Sequence, residues 1–263
     1  EKILGSYLVR LWPIFFGLSI FYYNKTNKLF IFLVLIFVLS EALIFLSGER
    51  AAFFFINLSA IFVILLSKKL LKLRLITLFL SIFLLVIISF VNPTAKERVF
   101  DKTLNQMNLV DGKEGIYIFT IQHTHHYITA YKMFLDNKIL GVGVKNFRNY
   151  CGEEKYKVSK FSCANHPHNT YVQILAETGL IGFSFLLFAL LYFCKYFFKH
   201  LFSKFKGSYY FTDFEICILS GIVINVWPFV PTGNIFNNWL NIAMILNFPF
   251  LIWSKKKIQD EKY

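Results

Sequence analysis

The chain has 263 residues, 56% of them hydrophobic and 33 of them Phe, with a formal net charge of +13. A soluble domain interrupts its apolar residues every few positions, whereas here they run in blocks at 31–39, 53–66, 75–91 and 180–193 that carry almost no charge. So many blocks would leave a soluble fold without polar surface. The basic residues stand in short clusters between the blocks, the pattern that orients membrane proteins, and this excludes a nucleic-acid partner.

Hydrocarbon is about 30 Å thick and a helix rises about 1.5 Å per residue, so a span needs roughly 20 mostly apolar residues. The sequence predicts an all-α, polytopic membrane protein with seven spans, near 7–23, 29–46, 51–67, 75–91, 171–194, 214–230 and 239–253. The chain opens on Glu1, with neither Met nor a signal peptide, and reads as the later part of something longer. One set of connections carries Lys25 and Lys28, then Lys68, Lys69, Lys72 and Arg74, then Lys195, Lys199, Lys204 and Lys206, then Lys255, Lys256 and Lys257. The other set is the turn 48–50, the long segment 92–170 and the uncharged stretch 231–238. By the positive-inside rule the basic loops are cytoplasmic and 92–170 is external. The organisation expected is four spans over 1–91, an external loop over 92–170 and three spans over 171–263.

A connection this long is usually functional or disordered. Within it, 117–135 carries Tyr127, Tyr131, Phe134 and Leu135 at helical spacing, which predicts an amphipathic helix on the membrane surface. Gly141-Val142-Gly143 follows as a turn. Cys151 and Cys163 both fall in the external segment, where an oxidising compartment permits a disulfide. Their spacing matches no zinc ribbon. Cys194 and Cys217 read as small apolar residues near cytoplasmic span ends.

Two places could carry chemistry. Arg50 follows the second span in Ser47-Gly48-Glu49-Arg50-Ala51-Ala52. Its planar fork suits phosphate oxygens, and its small neighbours let a bulky anion approach. The plain alternative is a snorkelling charge paired with Glu49. The second place is His166-Pro167-His168-Asn169, just before the fifth span. Proline favours the first helical position, so His166 is expected as the cap, with His168 and Asn169 in the first turn. The helix start would favour phosphate and a neutral His168 able to take a proton. Glu177 lies further down the same helix. His123, His125 and His126 lack a nearby acidic partner and read as solvated interfacial histidines rather than a metal site. Arg10 either lines a cavity or snorkels outward.

Three motifs together resemble the O-antigen ligase and polysaccharide polymerase family of bacterial inner membranes. They are Ser47-Gly48-Glu49-Arg50-Ala51, then 130–147 ending Leu140-Gly141-Val142-Gly143-Val144-Lys145-Asn146-Phe147, then His168-Asn169-Thr170-Tyr171-Val172-Gln173-Ile174-Leu175-Ala176-Glu177-Thr178-Gly179-Leu180-Ile181-Gly182. The likeness covers about 40–200. It implies a GT-C-like membrane fold with more spans than this chain carries, and a metal-free, inverting transfer on the periplasmic face of the inner membrane, with no cofactor. The donor implied is an undecaprenyl-diphosphate-linked glycan. The acceptor is a lipid A core, a growing glycan or, in an O-linked protein oligosaccharyltransferase, a protein hydroxyl. Arg50 and His168 would be the catalytic pair, with Asn169, His166, His123, Arg148 and Glu177 touching substrate. Related proteins carry an arginine before the helix leading to the Gly-Val-Gly turn. Here the stretch is Gln122-His123-Thr124-His125-His126-Tyr127, so His123, Arg98 or Arg148 must serve instead. A transporter or flippase for an anionic lipid is the rival of a different class. It predicts broken spans in corresponding positions of two halves, and no such repeat is present.

Overall fold

The computed structural model describes residues 4–22, 27–68, 71–107, 109 and 118–260, and these are helical or irregular, with no strand among them. Lys25, Lys69 and Tyr117 lie outside the described residues. In chain order the helices are α1 (Leu4–Phe21), α2 (Asn27–Ser47), α3 (Arg50–Leu66), α4 (Leu71–Val91), α5 (Pro93–Lys96), a π-helical turn (Glu97–Asp101) and α6 (Lys102–Gln106). Then come α7 (Ile121–Asp136), α8 (Phe147–Tyr150), α9 (Thr170–Phe205), α10 (Asp213–Asn225), α11 (Asn238–Ile245) and α12 (Asn247–Asp260). They fall into two compact units. One is Glu1–Thr103, His200–Asn225 and Ala243–Tyr263; the other is Leu104–Lys199 and Val226–Ile242.

The first unit is built around α10, in which every residue from Phe214 to Asn225 is buried. A helix apolar all round belongs in the middle of a bundle, and α1, α3 and α12 pack against this one. Ile14, Phe214 and Ile218 form the contact, closed by Phe21, Phe250 and Trp253. α4 instead leaves Phe79, Phe83, Val86 and Phe90 exposed in one stripe, as a lipid-facing helix does. Glu49, between α2 and α3, caps α1: its carboxylate accepts from the backbone N–H of Gly5 (2.8 Å) and Ser6 (3.0 Å) and from the Ser6 hydroxyl (3.1 Å).

Four helices are long and apolar enough to cross a membrane, namely Leu4–Phe21, Phe30–Ser47, Leu71–Val91 and Thr170–Phe205, with Arg50–Leu66 a shorter apolar helix. The last two expected spans differ. α10 stops at Asn225, and the chain runs irregularly from there to α11, because Pro228 lacks an N–H and pushes the preceding residue out of the helical region. The span expected near 239–253 is divided into α11 and α12. Pro249 cannot bond back to residue 245, and at the break the Asn247 side-chain amide donates to the carbonyls of Ala243 (3.2 Å) and Met244 (3.1 Å).

The second unit packs Ala130 and Met133 of α7 and Ala176 of α9 against Phe147, Cys151 and Tyr156. Cys151 and Cys163 are joined in a disulfide with Cα atoms 5.1 Å apart. In the chain-entropy view a loop this short contributes on the order of 3 kcal/mol. α7 buries His126, Thr129, Ala130 and Met133 on one face and exposes Ile121, Ile128, Tyr131 and Leu135 on the other. It is therefore amphipathic, although its buried side is more polar than its exposed one.

Candidate functional site

The site residues of the second unit depend on a break in α9. Gly179 has φ 62°, ψ −160°, so Thr170 to Thr178 form a short helix of their own before the long one. The carbonyls and N–H groups freed there are taken by the Gly141 turn. Val142 N donates to Ala176 O (2.9 Å) and Gly143 N to Glu177 O (2.9 Å), while Leu180 N donates to Lys138 O (2.8 Å). Gly141, at φ 69°, lies so close that a side chain there would strike the Glu177 backbone, and one on Gly179 would strike Ile139. The glycine turn and the glycine of the long motif are thus two halves of one backbone joint.

Glu177 completes the joint. It is 1% exposed, and its oxygens accept from Lys145 N (3.0 Å), Phe147 N (3.0 Å) and Gln173 Nε2 (3.0 Å). The turn's backbone and Gln173 thus hold both oxygens of Glu177 inside the joint. Asn169 is likewise occupied. Its Oδ1 accepts from Tyr171 N (3.0 Å) and Val172 N (3.1 Å), and its Nδ2 donates to Pro228 O (2.9 Å). Asn169, not His166, is therefore the N-cap, since a short amide oxygen reaches the first free N–H groups more directly than an imidazole does.

His168 accordingly lies outside the helix rather than in its first turn, with φ 61°. A left-handed backbone is uncommon away from glycine and marks functional strain when surroundings hold it in place. Here Thr232 holds it. Thr232 N donates to His168 O (2.8 Å), the Thr232 carbonyl pairs with His166 Nε2 (3.2 Å), and its hydroxyl pairs with Thr170 Oγ1 (3.2 Å). Thr232 and Asn234, which bonds Gln173 at 2.8 Å, lie in the stretch read as a plain uncharged loop. Nothing in its sequence but a run of small polar residues signalled that role.

Four imidazoles gather at this turn. Ring centroids of His166 and His168 are 4.1 Å apart, His123 and His168 5.4 Å, His126 and His168 5.6 Å, and His123 and His126 6.0 Å. His123 Nδ1 is fixed by the Thr120 hydroxyl (2.8 Å). His126 is 1% exposed, not solvated as expected, and neither ring nitrogen has a hydrogen-bond partner. The neighbouring Tyr127 hydroxyl is buried and unpaired too. His125 turns away to Ser159 (2.8 Å). Arg148 lies near enough to oppose protonation of His166, while its Nε donates to Lys145 O (3.2 Å). Burial pushes His126 down to about 4, with His168 and His125 adding to the effect. Burial, then His168, pushes His166 down to about 4 against the Thr232 backbone. His168 is lowered by burial, opposed by that backbone. Burial pushes the Tyr127 hydroxyl up to about 12. His126, His166 and His168 are thus all biased toward the neutral form. Among the described residues no three His, Cys, Asp or Glu side chains are gathered as metal ligands.

Arg50 belongs to the first unit, where it begins α3, half-buried. Glu49, the residue before it, is engaged in capping α1. Gly48 has φ 67°, and the Arg98 side chain lies across it, with Cδ and Nε 3.3 Å from where a Cβ would stand. Two guanidinium-bearing residues therefore meet at one turn, and glycine is what admits the second. Arg10 is neither snorkelling nor facing open space: it is buried, donating from Nε to Asn225 Oδ1 (2.9 Å) and from Nη1 to Ser6 O (3.0 Å).

The profile of the family described as O-antigen ligase matches residues 32–187, more than half of the chain. A search of curated proteins finds no match.

Proposed function

Because the chain belongs to the O-antigen ligase family, we propose that it transfers a glycan from an undecaprenyl-diphosphate-linked donor to an acceptor hydroxyl on the periplasmic face of the inner membrane. The observation that carries the reading is the backbone of His168, held left-handed by Thr232, with the rings of His123, His126 and His166 gathered around it. His168 accepts the proton of the acceptor hydroxyl as its oxygen attacks the anomeric carbon. The bond from that carbon to the phosphate oxygen breaks, with inversion, and the diphosphate leaves on its lipid. Arg50 and Arg98 are the side chains whose charge answers the phosphate oxygens. Arg98 thereby supplies the second arginine missing ahead of α7, and His123 orients the acceptor. Neutral imidazoles suit a base: general-base catalysis contributes about a hundred- to ten-thousand-fold and needs the unprotonated form.

The chemistry is the same whether the acceptor is a lipid A core, a growing glycan or a protein hydroxyl, and we favour a ligase. Surface glycan profiling of a deletion strain tests this. Full-length polymer left on its lipid carrier, and absent from the lipid A core, is the expected result. Single repeat units on lipid A core would make it a polymerase, and an intact glycan profile with an unglycosylated protein an oligosaccharyltransferase. An unchanged profile in both glycolipid and protein would remove the transferase reading altogether.

A further inference from the structure

The first unit holds a carboxyl group that none of this chemistry uses. Glu41 lies inside the membrane-spanning part of α2 and is 3% exposed. Ser81 of α4, 1% exposed, and Asn57 of α3 stand beside it. Neither Glu41 Oε2 nor Ser81 Oγ, however, makes a hydrogen bond of normal geometry. Among the described residues no salt bridge reaches Glu41. The carboxyl opens on a cavity of about 20 Å³, whose polar wall is Glu41, Asn57, Ser59 and Thr77, with Trp12 on the apolar side. Asn57 already donates its Nδ2 to Phe53 O (2.8 Å), which leaves Oδ1 able to coordinate.

A carboxylate in hydrocarbon is costly without a counter-charge, and where one is kept it usually has a task. Three properties of this cavity select what it takes. Its volume suits a single water-sized occupant, for which about 10–15 Å³ is the lower bound. Its donors are a carboxylate, hydroxyls and an amide oxygen, the hard oxygen set that suits alkali and alkaline-earth ions rather than transition metals. Its formal charge is one, so a monovalent ion leaves the site neutral, whereas a divalent ion would strand a positive charge in the bilayer.

We propose that Glu41, with Asn57 and Thr77 on the cavity wall and Ser81 beside the carboxyl, forms an intramembrane sodium site that ties α2, α3 and α4 together. Na⁺ enters as the carboxyl proton leaves, so the site stays neutral in both states. The ion joins the helices at the level below the 47–50 turn, the end of the unit that carries Arg50. The site stands independently of the transfer reading, because it is read by binding and not by turnover.

The test uses the full chain purified in detergent. Radioactive sodium should bind saturably at one ion per chain, be displaced by acid, and be displaced poorly by potassium and not at all by choline. Glu41→Gln should abolish that binding, and Ser81→Ala should weaken it about tenfold or more, as loss of a supporting ligand does. In thermal unfolding, NaCl should raise the midpoint above that in choline chloride at equal ionic strength for the native chain, and leave Glu41→Gln unmoved. Absence of saturable sodium binding to the native chain would overturn the site, whatever the variants do. Equal binding by Glu41→Gln would move the ion elsewhere and overturn it equally. Stability that follows pH but not sodium would assign the carboxyl to a proton alone, and the proposal would fall.

Discussion

His168 combines a backbone conformation that disfavours a Cβ with a side chain the proposed chemistry needs, and the two can be separated. Left-handed backbone costs roughly 1–2 kcal/mol for a residue with a side chain. His168→Gly should therefore raise the unfolding midpoint while reducing turnover by about a hundred- to ten-thousand-fold, as His168→Ala also should. A glycine variant that is less stable and still active would mean the conformation serves packing only. The arginine turn makes a second prediction. Arg50→Lys keeps the charge but loses the bidentate fork, so donor turnover should drop nearly as far as in Arg50→Ala, and Arg98→Ala should raise the donor KM. Wild-type kinetics in both would return the turn to a structural role. At this scale the sequence was informative about residue type and less so about geometry. The His-Pro-His-Asn run announced itself, but which member caps the helix depends on Thr232 and Pro228, some sixty positions later.

His126 and His166 carry folded values near 4 against an ordinary 6.5, because α7 and the 226–242 stretch bury them. Between those values the unfolded chain binds more protons than the folded one, so stability is level above about pH 6.5 and falls as pH drops toward 4. Thermal unfolding across that window should show the loss, and a His126→Phe, His166→Gln double variant should flatten it. The joint in α9 gives the fourth prediction. Gly179→Ala places a Cβ against the Ile139 backbone at positive φ, so it should destabilise by more than the roughly 1–2 kcal/mol of left-handed strain alone. Gly207, also at positive φ (75°) but with nothing within 4 Å, is the control, since Gly207→Ala meets only the strain. The existence of α9 was legible from its apolar run, whereas its break was not. Thr170 to Phe205 reads as one continuous helix until the Gly141 turn is seen to take its freed backbone groups. α10 and α11 went the other way, their shortening written in Pro228 and Pro249 but outweighed in the reading by hydropathy.

The four long apolar helices and the alternation of basic loops are two expressions of one constraint, that backbone in hydrocarbon must satisfy itself while charge stays at the rims. The apolar blocks were legible because hydropathy depends on composition alone. The division into two units was not, since it draws the distant stretch 226–242 into the same body as α7. The loop assignment nonetheless makes a prediction about the whole molecule. Lys195, Lys199, Lys204 and Lys206 should face the cytoplasm, and the disulfide-bearing segment should face outward, where an oxidant keeps Cys151 bonded to Cys163. In a background with Cys194 and Cys217 replaced by serine, a cysteine is placed at Lys206 or at Lys160, both exposed. A membrane-impermeant thiol reagent applied to whole spheroplasts should label Lys160→Cys and spare Lys206→Cys until the membrane is opened. Cys151 and Cys163, bonded to each other, take up no thiol reagent, so the label reports Lys160→Cys alone. Labelling of Lys206→Cys from outside would invert the orientation and place His168 on the cytoplasmic face, where a glycan already exported on its lipid is out of reach.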